Sequence, residues 1–347
     1  MKKKVCLLFG GKSSENEISV LTAKSIINNI DKSKYDIFNV YIDKEGNWYN
    51  CEGVSESNEI INKNEISDIN NYIKNVDVCF PLLHGKYGED GTIQGLFEMF
   101  NKKYVGCGVL ASSLCMDKAY LKNILDKASI NQTKYVYIRK NRDEFIYVDE
   151  ELNEIYSELT NICKLIENKL KYPVFVKPSR SGSSIGINIA NNIDELKNNI
   201  EIASSFDNRI IIEEGISGRE LECAVLGNEE LLASSIGEII PDDKFYSYDD
   251  KYKNKEPKIV IPASIDESIS KEIKRLAKKA YKAASCEGLS RVDFFLEDKT
   301  NKIYLNEINT LPGFTNISMY PKLFEYDGIS YSNLIDRLIE LAYEKRE

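Results

Sequence analysis

The sequence predicts a mixed α/β protein with more than one domain, and three observations support that prediction. The chain has 347 residues, 42% of them hydrophobic and 29% charged, which is typical of a globular protein long enough for two or three cores. Short apolar strands alternate with helical periods in the first third of the chain. Longer strand-like segments dominate the last third. We therefore expect an α/β (α+β) fold with a parallel sheet at the amino terminus.

The first third alternates between strands and helices. Strands are expected at "KKVCLLFGG", "YDIFNVYID" and "VDVCFPLLHG", and helices at "ISVLTAKSIINNI" and "GTIQGLFEMFN". The loops "GGKSSENE" and "HGKYGEDG" follow the first and third of these strands. Because ligands bind at the carboxyl ends of parallel strands, both loops are expected to line a site.

The middle of the chain reads as a second compact unit. It opens with one helix, "SSLCMDKAYLKNILDKASI", and continues with the strand "KYVYIRK", the strand and loop "KYPVFVKPSRSGSSIG", the helix "NIDELKNNIEIASSF" and the strand "NRIIIEEGI". The remainder contains five strand-like segments and helices at about 267–286 and from 330 onward. We expect domains at residues 1–116, 117–215 and 216–347.

Composition excludes several classes of protein. A net charge of -9 disfavours a protein whose main task is to bind nucleic acid. No apolar run approaches the roughly 20 residues needed to cross a membrane, and the apolar segment near the start is a short strand rather than a signal peptide. We expect a cytoplasmic protein with no nucleic-acid or membrane partner.

The cysteines and the single histidine limit the possible metal chemistry. The eight cysteines form no C-x-x-C pair and are expected to be small buried hydrophobes. His84 is the only histidine, which excludes a zinc site with several histidines and leaves sites built from carboxylates for hard cations.

The segment "SRVDFFLEDKTNKIYLNEINT" predicts a hairpin that turns at residues 298–302. If its register is symmetric about residue 300, Asp293 lies opposite Glu307 and Arg291 lies opposite Asn309, all on one face. Two facing carboxylates repel unless a cation lies between them, and Mg²⁺ prefers such oxygen ligands. The alternative is a solvated sheet face on which the carboxylates pair with Arg291 and lysines.

A second pattern, "KPSRSGSSIG", follows a strand and is typical of a phosphate-binding loop. Its glycine and serines allow backbone amides to approach anionic oxygens, and Lys177 can contact a phosphate as a point charge. An ordinary turn is the alternative. The chain contains neither a P-loop nor a dinucleotide fingerprint, so a triphosphate would need a different binding arrangement.

Seven segments in order resemble the D-alanine-D-alanine ligases of the ATP-grasp superfamily. They are "FGGKSSENEIS", "PLLHGKYGEDGTIQG", "MDKAYLK", "YPVFVKPSRSGSSIG", "KFYSYDDKY", "SRVDFF" and "LNEINTLPGFTNISMYPKL". The resemblance implies a three-domain fold with ATP held between the last two domains. It also implies an ATP-dependent ligase that makes D-alanyl-D-alanine for peptidoglycan through a D-alanyl phosphate.

The resemblance assigns roles to individual residues. It implies metal ligands for two Mg²⁺ or Mn²⁺ ions at Asp293, Glu307 and Asn309. It implies ATP contacts from Lys118, Lys177 and Lys251 to phosphates, from Glu213, Glu214 and Ile216 to adenine, and from Glu220 to ribose. It implies catalytic parts for Glu15, which accepts the ammonium group of the first D-alanine, for Ser183 and Tyr252, which orient Glu15, and for Arg291 with the Gly313 amide, which stabilise the oxyanion. Tyr252 is expected on a lid that excludes water.

The resemblance also implies that the second substrate subsite lies near His84, Ser318 and Met319. The apolar side chain of Met319 suits D-alanine, although a hydrophobic pocket rejects an added hydroxyl group only weakly. A D-alanine-D-serine ligase is therefore the alternative function within the family. A ligase that uses another acid, and a nucleotide-binding regulator without turnover, are the further alternatives. The resemblance also implies a homodimer.

Overall fold

The computed structural model describes residues 2–182, 185–240 and 258–344. These residues form three larger β-sheets. The first sheet has the strand order β6-β3-β2-β1-β7-β8. Its strands are β1 Lys3–Gly10, β2 Tyr35–Ile42, β3 Trp48–Cys51, β6 Asn64–Glu65, β7 Val78–Pro81 and β8 Lys103–Tyr104, and a two-stranded sheet is formed by β4 Gly53–Val54 and β5 Ile60–Ile61. The central strand β1 pairs in parallel with both β2 and β7, which confirms the parallel sheet.

The first sheet has buried residues on both faces. Strand β1 alternates between two cores, with Val5, Leu7 and Phe9 in one and Cys6 and Leu8 in the other. This double burial is why the strand reads as a continuous apolar run. The helices of this part are α1 Asn16–Asn29, α2 Ile69–Lys74, α3 Thr92–Met99 and α4 Val109–Met116.

The second sheet is antiparallel, with the order β11-β10-β9-β14-β12-β13. Its strands are β9 Tyr135–Asn141, β10 Glu144–Val148, β11 Glu154–Ser157, β12 Val174–Pro178, β13 Asn188–Ala190 and β14 Arg209–Glu214, and the helices beside it are α5 Lys118–Lys127, α6 Leu159–Lys169 and α7 Ile193–Phe206. Helices α6 and α7 cover one face, where residues such as Ile210 and Ile212 are buried. Because side chains alternate along a strand, Glu213 lies on the opposite face.

The third sheet is also antiparallel, with the order β17-β16-β15-β18-β19. Its strands are β15 Gly218–Leu226, β16 Leu232–Ile240, β17 Lys258–Val260, β18 Leu289–Glu297 and β19 Ile303–Asn309, and the last helices are α8 Glu267–Ala283, α9 Met319–Tyr326 and α10 Tyr331–Glu344. One face packs on α8. The other face packs partly on α9 and α10, in a core shared with the first sheet.

One prediction about the helices is wrong. The segment expected as a single helix around Met116 is two helices, α4 and α5, because Asp117 between them is extended, with φ -92° and ψ 97°. The Asp117 carboxylate accepts a hydrogen bond from the amide of Tyr120, as a helix N-cap does. The chain therefore starts a new helix at Lys118, with a changed direction.

All eight cysteines are free and buried, as expected. In the part of the chain that the structure describes, no helix is long and apolar enough to span a bilayer.

Candidate active site

The hairpin formed by β18 and β19 brings the predicted cation ligands together. Asp293 pairs with Glu307 and Arg291 pairs with Asn309, which confirms the predicted register. Directly paired residues point to the same face of the sheet. The amide of Asn309 donates a hydrogen bond of 2.9 Å to Asp293. Two carboxylates, an amide and a guanidinium therefore share one small surface.

The symmetric register does not extend along the whole hairpin. It shifts between Asp293 and Phe294, because Phe294 pairs with Leu305 and Asn306 is left as an extra residue on β19. An extra residue of this kind is a β-bulge, which bends the strand locally. The bulge lies directly beside Glu307, so it helps to set where that carboxylate points.

Arg291 is held by carboxylates from two strands. Its Nε and Nη2 atoms donate to Asp293 over 2.8 and 2.7 Å, and Nε lies 2.9 Å from Oε2 of Glu222 on β15. Burial alone would lower the pKa of Arg291, but the charges of Asp293 and Glu222 outweigh it and raise that pKa well above its usual value. Arg291 is consequently a fixed cation.

Glu222 is a site residue that sequence analysis missed. It pairs with Asp293 across β15 and β18, and its side chain is only 2% exposed, whereas that of Arg291 keeps 20%. Glu222 thus lies behind the guanidinium, away from solvent. The sequence offered only one signal, the alternation that puts Glu222 on the same face as Glu220.

Lys118 reaches the hairpin from the start of α5. Its Nζ atom donates to the carbonyl of Ser181 over 2.9 Å and lies 3.7 Å from Oε2 of Glu307. Ser181 belongs to the loop that follows β12. The lysine therefore links the predicted phosphate loop to the predicted metal ligands.

Buried hydrogen bonds fix this end of α5 to the predicted phosphate loop. The Ser179 hydroxyl donates to Asp117 over 2.6 Å and accepts from the amide of Ala119, while Arg209 on β14 forms a salt bridge to Asp117. Ser179 is fully buried and Asp117 is nearly so. Because the helix amides find partners in the loop, the two segments are held as one unit.

Lys177 and Glu213 form a close salt bridge, and a second lysine, Lys122, contacts the same carboxylate at 2.7 Å. Burial would raise the pKa of Glu213, but the two lysines outweigh it and lower that pKa far below its usual value. Sequence analysis did not identify Lys122. Glu213 therefore remains ionised, with a lysine on each carboxylate oxygen.

The other residues expected at the nucleotide lie next to this cluster in the chain. The carboxylate of Glu214, at the end of β14, accepts from the amide of Lys171 over 2.9 Å. Ile216 lies in the link between β14 and β15, and Glu220 lies on β15, where it pairs with Phe295 of β18. These residues follow the path of the chain from the second sheet to the third.

The structure brings together, around Glu15, the two predicted loops that follow the first and third strands of the amino-terminal region. The Ser13 hydroxyl donates to the carbonyl of His84 over 2.7 Å. A Cβ atom built on Gly85 would lie 2.5 Å from Oε2 of Glu15, and one built on Gly182 would lie 3.8 Å from it. Glu15 is therefore adjacent to the phosphate loop, and a side chain at position 85 would collide with it.

His84 is buried, and both of its ring nitrogens have protein partners. Nε2 lies 3.1 Å from the hydroxyl of Thr22, and Nδ1 lies 3.4 Å from Oε1 of Glu89. Burial lowers the pKa of His84, but the hydrogen bond and charge of Glu89, with a smaller effect of Glu15, raise it above its usual value.

The segment after β19 places Gly313 next to Ser318. A Cβ atom on Gly313 would lie 3.0 Å from the Ser318 hydroxyl, which itself accepts from the amide of Thr315 over 2.9 Å. Met319, the first residue of α9, is only 4% exposed, and its Sδ atom lies 2.4 Å from the position of a Cβ atom on Gly237. The Met319 side chain therefore packs into the core, and a substrate contact by it stays a prediction.

Three predicted site residues, Ser183, Lys251 and Tyr252, lie outside the described residues.

The donor set suits a hard cation that is completed by ligand oxygens. In the described ranges, no three His, Cys, Asp or Glu side chains are grouped to hold a metal ion by themselves. Asp293 and Glu307 supply two carboxylates and Asn309 supplies an amide oxygen, the donors that Mg²⁺ and Mn²⁺ prefer. Mg²⁺ is commonly held by one or two carboxylates plus substrate phosphates. The residues present fit that arrangement.

The described residues form three larger sheets, and the solved structures that share this arrangement are ligases of the ATP-grasp fold. Residues 4–107 match the family described as D-ala D-ala ligase N-terminus, and residues 124–340 match D-ala D-ala ligase C-terminus. The D-alanine--D-alanine ligase of Acetivibrio thermocellus is 45% identical over 99% of this chain and 96% of its own length. The chain belongs to the D-alanine-D-alanine ligase family, a family of ligases.

Two solved structures show how far the similarity extends. The VanG D-Ala:D-Ser ligase from Enterococcus faecalis has a TM-score of 0.84 and 37% identity, covering 99% of this chain and 100% of its own. The D-alanine--D-alanine ligase from Bacillus anthracis complexed with ATP has a TM-score of 0.76 and 29% identity, covering 99% and 98%. The chain is thus similar to ligases with two different named products.

Proposed function

We propose that this protein is an ATP-dependent ligase that joins two D-alanine molecules into D-alanyl-D-alanine, through a D-alanyl phosphate, for peptidoglycan precursor synthesis. The observation that carries the proposal is the hairpin surface of Arg291, Asp293, Glu307 and Asn309, with Lys118 beside it. A protein of this family that had become a regulator would have no need to keep this set. Relatives of this chain from Acetivibrio thermocellus and Clostridium acetobutylicum carry the name D-alanine--D-alanine ligase.

The reaction explains why such a surface is useful. A carboxylate is a poor acyl donor until phosphorylation gives it a leaving group, after which an amine can attack without any protein nucleophile. Asp293, Glu307 and Asn309 would hold divalent ions, two Mg²⁺ or Mn²⁺. Bound there, such ions neutralise charge on the transferring phosphoryl group.

The chain's own cations and amides would complete the site. Lys118, Lys177 and Lys251 are proposed to contact the phosphates of ATP. Arg291 and the Gly313 amide are proposed to stabilise the tetrahedral oxyanion that forms when the amine attacks. Arg291 suits this part because its carboxylate partners hold it in one orientation.

The purine and ribose of ATP are proposed to lie along the link between the second and third sheets. Glu213, Glu214 and Ile216 would contact adenine, and Glu220 would accept hydrogen bonds from the ribose hydroxyls. The positions of Glu213 at the end of β14 and of Glu220 on β15 support this arrangement, since both flank the same turn.

The amino acids are proposed to bind near Glu15. This carboxylate would accept the ammonium group of the first D-alanine, with Ser183 and Tyr252 orienting it. His84 is proposed to contact the second substrate, from a position that the protein partners of both of its ring nitrogens fix. Ser318 and Met319 are proposed to lie at the second subsite.

A phosphate-release assay tests the proposal. The full chain, incubated with ATP, Mg²⁺ and D-alanine, should release phosphate and form D-alanyl-D-alanine, whereas L-alanine should give neither product. If no D-amino acid stimulates phosphate release, the chain is not a ligase of this kind and a regulatory function is favoured.

A D-alanine-D-serine ligase is the second candidate, and the similarity to the VanG enzyme favours it. Competition between D-alanine and D-serine at equal concentrations, followed by identification of the products, separates the two. A mainly D-alanyl-D-serine product would replace the first proposal with the second.

The proposal also covers the organisation of the protein. We propose domains at residues 1–116, 117–215 and 216–347, a homodimer, and a cytoplasmic location, where D-alanine and ATP are available to such a ligase. Gel filtration with light scattering tests the dimer.

A further inference from the structure

Lys122 is a deeply buried lysine one helical turn after Lys118. Its side chain is 3% exposed, and its Nζ atom lies 2.7 Å from Oε1 of Glu213. The same Nζ atom lies 3.2 Å from the hydroxyl of Thr133 and 5.1 Å from the centroid of the Tyr135 ring. An ammonium group has three N–H donors, and these three groups surround it. Lysine is almost never buried to this degree without a charged partner.

The Glu213 carboxylate is shared between two cations. Lys122 contacts Oε1 and Lys177 contacts Oε2. Two ammonium groups and one carboxylate leave one net positive charge in the cluster. Lys177 is the more exposed of the two lysines, at 12% against 3%, so the net positive charge lies nearer to solvent at Lys177.

We infer that Lys122 neutralises Glu213, so that the charge of Lys177 remains available to the polyphosphate of a nucleotide. Without Lys122, the carboxylate and Lys177 would form a neutral pair. Lys122 is therefore a positioning residue that acts through Glu213. This inference deepens the proposed function and rests on its nucleotide site.

The strand pairing explains how a lysine on α5 and a lysine on β12 both contact Glu213. Glu213 pairs with Tyr135 on one side and with Phe175 on the other, so the three side chains form one row across the sheet. Lys122 lies over the Tyr135 end of that row, and Lys177 lies 5.9 Å from the Phe175 ring at the other end. Each lysine therefore contacts a different oxygen of the carboxylate.

The test is the ratio of ATP affinity to AMP affinity, measured by calorimetry on the full chain without D-alanine. AMP lacks the outer phosphates, so the ratio isolates the attraction to the polyphosphate. Lys122→Met should lower the ratio about tenfold, the effect of one unit charge roughly 10 Å away in a partly buried site. Lys127→Met, which removes an exposed lysine from the last turn of the same helix, is the matched control and should leave the ratio unchanged.

Two further variants separate charge from packing. Lys122→Met combined with Glu213→Gln removes one charge of each sign and should restore the ratio to within threefold of the starting protein. Glu213→Gln alone leaves two cations and should raise the ratio. The double variant keeps the inference testable even if Lys122→Met does not fold, because it leaves neither the Glu213 carboxylate nor the Lys122 ammonium group buried without its partner.

Three results would overturn the inference: equal loss of ATP and AMP binding in Lys122→Met, no recovery in the double variant, or an unchanged ratio in Glu213→Gln. A starting protein that binds ATP but never forms D-alanyl-D-alanine would contradict the proposed function and leave the inference standing. A starting protein that binds no ATP would overturn both.

Discussion

Replacing Glu222 by glutamine should raise the Mg²⁺ concentration that the enzyme needs. In the structure, Arg291 contacts two carboxylates, Glu222 and Asp293. Asp293 is also a proposed metal ligand, so the metal ion and Arg291 compete for it. Glu222 reduces that competition because it provides Arg291 with a second anionic partner that faces away from solvent.

The size of the effect follows from the contact that is changed. The changed contact is the ion pair between Arg291 and Glu222, at 2.9 Å. A close contact to a charged group contributes about 1.5–3 kcal/mol, and a neutral glutamine oxygen would retain roughly half of that. Losing the other half, about 0.8–1.5 kcal/mol, would leave Arg291 more dependent on Asp293, so the metal ion would have to overcome that difference. Each 1.4 kcal/mol corresponds to about a tenfold change in an equilibrium constant. We expect the half-saturating Mg²⁺ concentration to rise about four- to twelvefold.

The assay is phosphate release at saturating ATP and D-alanine, with Mg²⁺ varied. The control is Cys223→Ala, because Cys223 is the next residue on β15 and points into the opposite core, against α8. That variant should lower the melting temperature and leave the Mg²⁺ requirement unchanged. An unaltered Mg²⁺ requirement in Glu222→Gln, or an equal shift in both variants, would refute the competition between Arg291 and the metal.

Three further changes test other parts of the site. Glu307→Gln should lower kcat by about two to three orders of magnitude, since removing transition-state charge stabilisation typically costs about 3–4 kcal/mol; near-normal turnover would exclude a ligand role. Met319→Arg should raise the ratio of D-alanyl-D-serine to D-alanyl-D-alanine product. It should also lower the melting temperature, because Met319 is buried and a buried charge is costly. Met319→Leu is the control, and an unchanged product ratio in Met319→Arg would place specificity elsewhere. Glu89→Gln should lower the pKa of His84, which is raised in the native protein, as read from the NMR titration of this single histidine. Because the pKa of His84 is raised in the native protein, its protonated form stabilises the fold below about pH 6.5. The native protein should therefore have a larger free energy of unfolding than the variant at low pH, and this difference should disappear as the pH rises through the native pKa. A difference that grows with pH would contradict the assignment.

The hairpin could be predicted from sequence because the information is local. Both strands alternate, and the polar residues between them fix where the chain turns. Those features determine that Asp293 faces Glu307. The bulge at Asn306 could not be predicted, because asparagine in a strand carries no signal that distinguishes an extra residue from a paired one.

Glu222 and Lys122 were missed because their signals are ambiguous in one dimension. A glutamate in an alternating strand usually faces solvent, and a lysine in a helix usually covers its surface. Burial of each depends on a partner from another element: Arg291 on β18 for Glu222, and Glu213 on β14 for Lys122. Only the folded arrangement reveals these partners.

The helix break at Asp117 differs from Glu222 and Lys122, because the sequence did contain a signal for it. Aspartate is a preferred N-cap residue, yet the apolar pattern on both sides favoured a continuous helix. The structure shows what the break accomplishes: the Asp117 carboxylate is free to receive the Ser179 hydroxyl, 62 residues away in the chain. In a continuous helix, the amides of the first turn of α5 would bond to carbonyls of the preceding turn, and Ala119 could not donate to Ser179. The break therefore creates the open helix end to which the phosphate loop is fixed, and it is the reason that Lys118 can contact that loop and Glu307 at once.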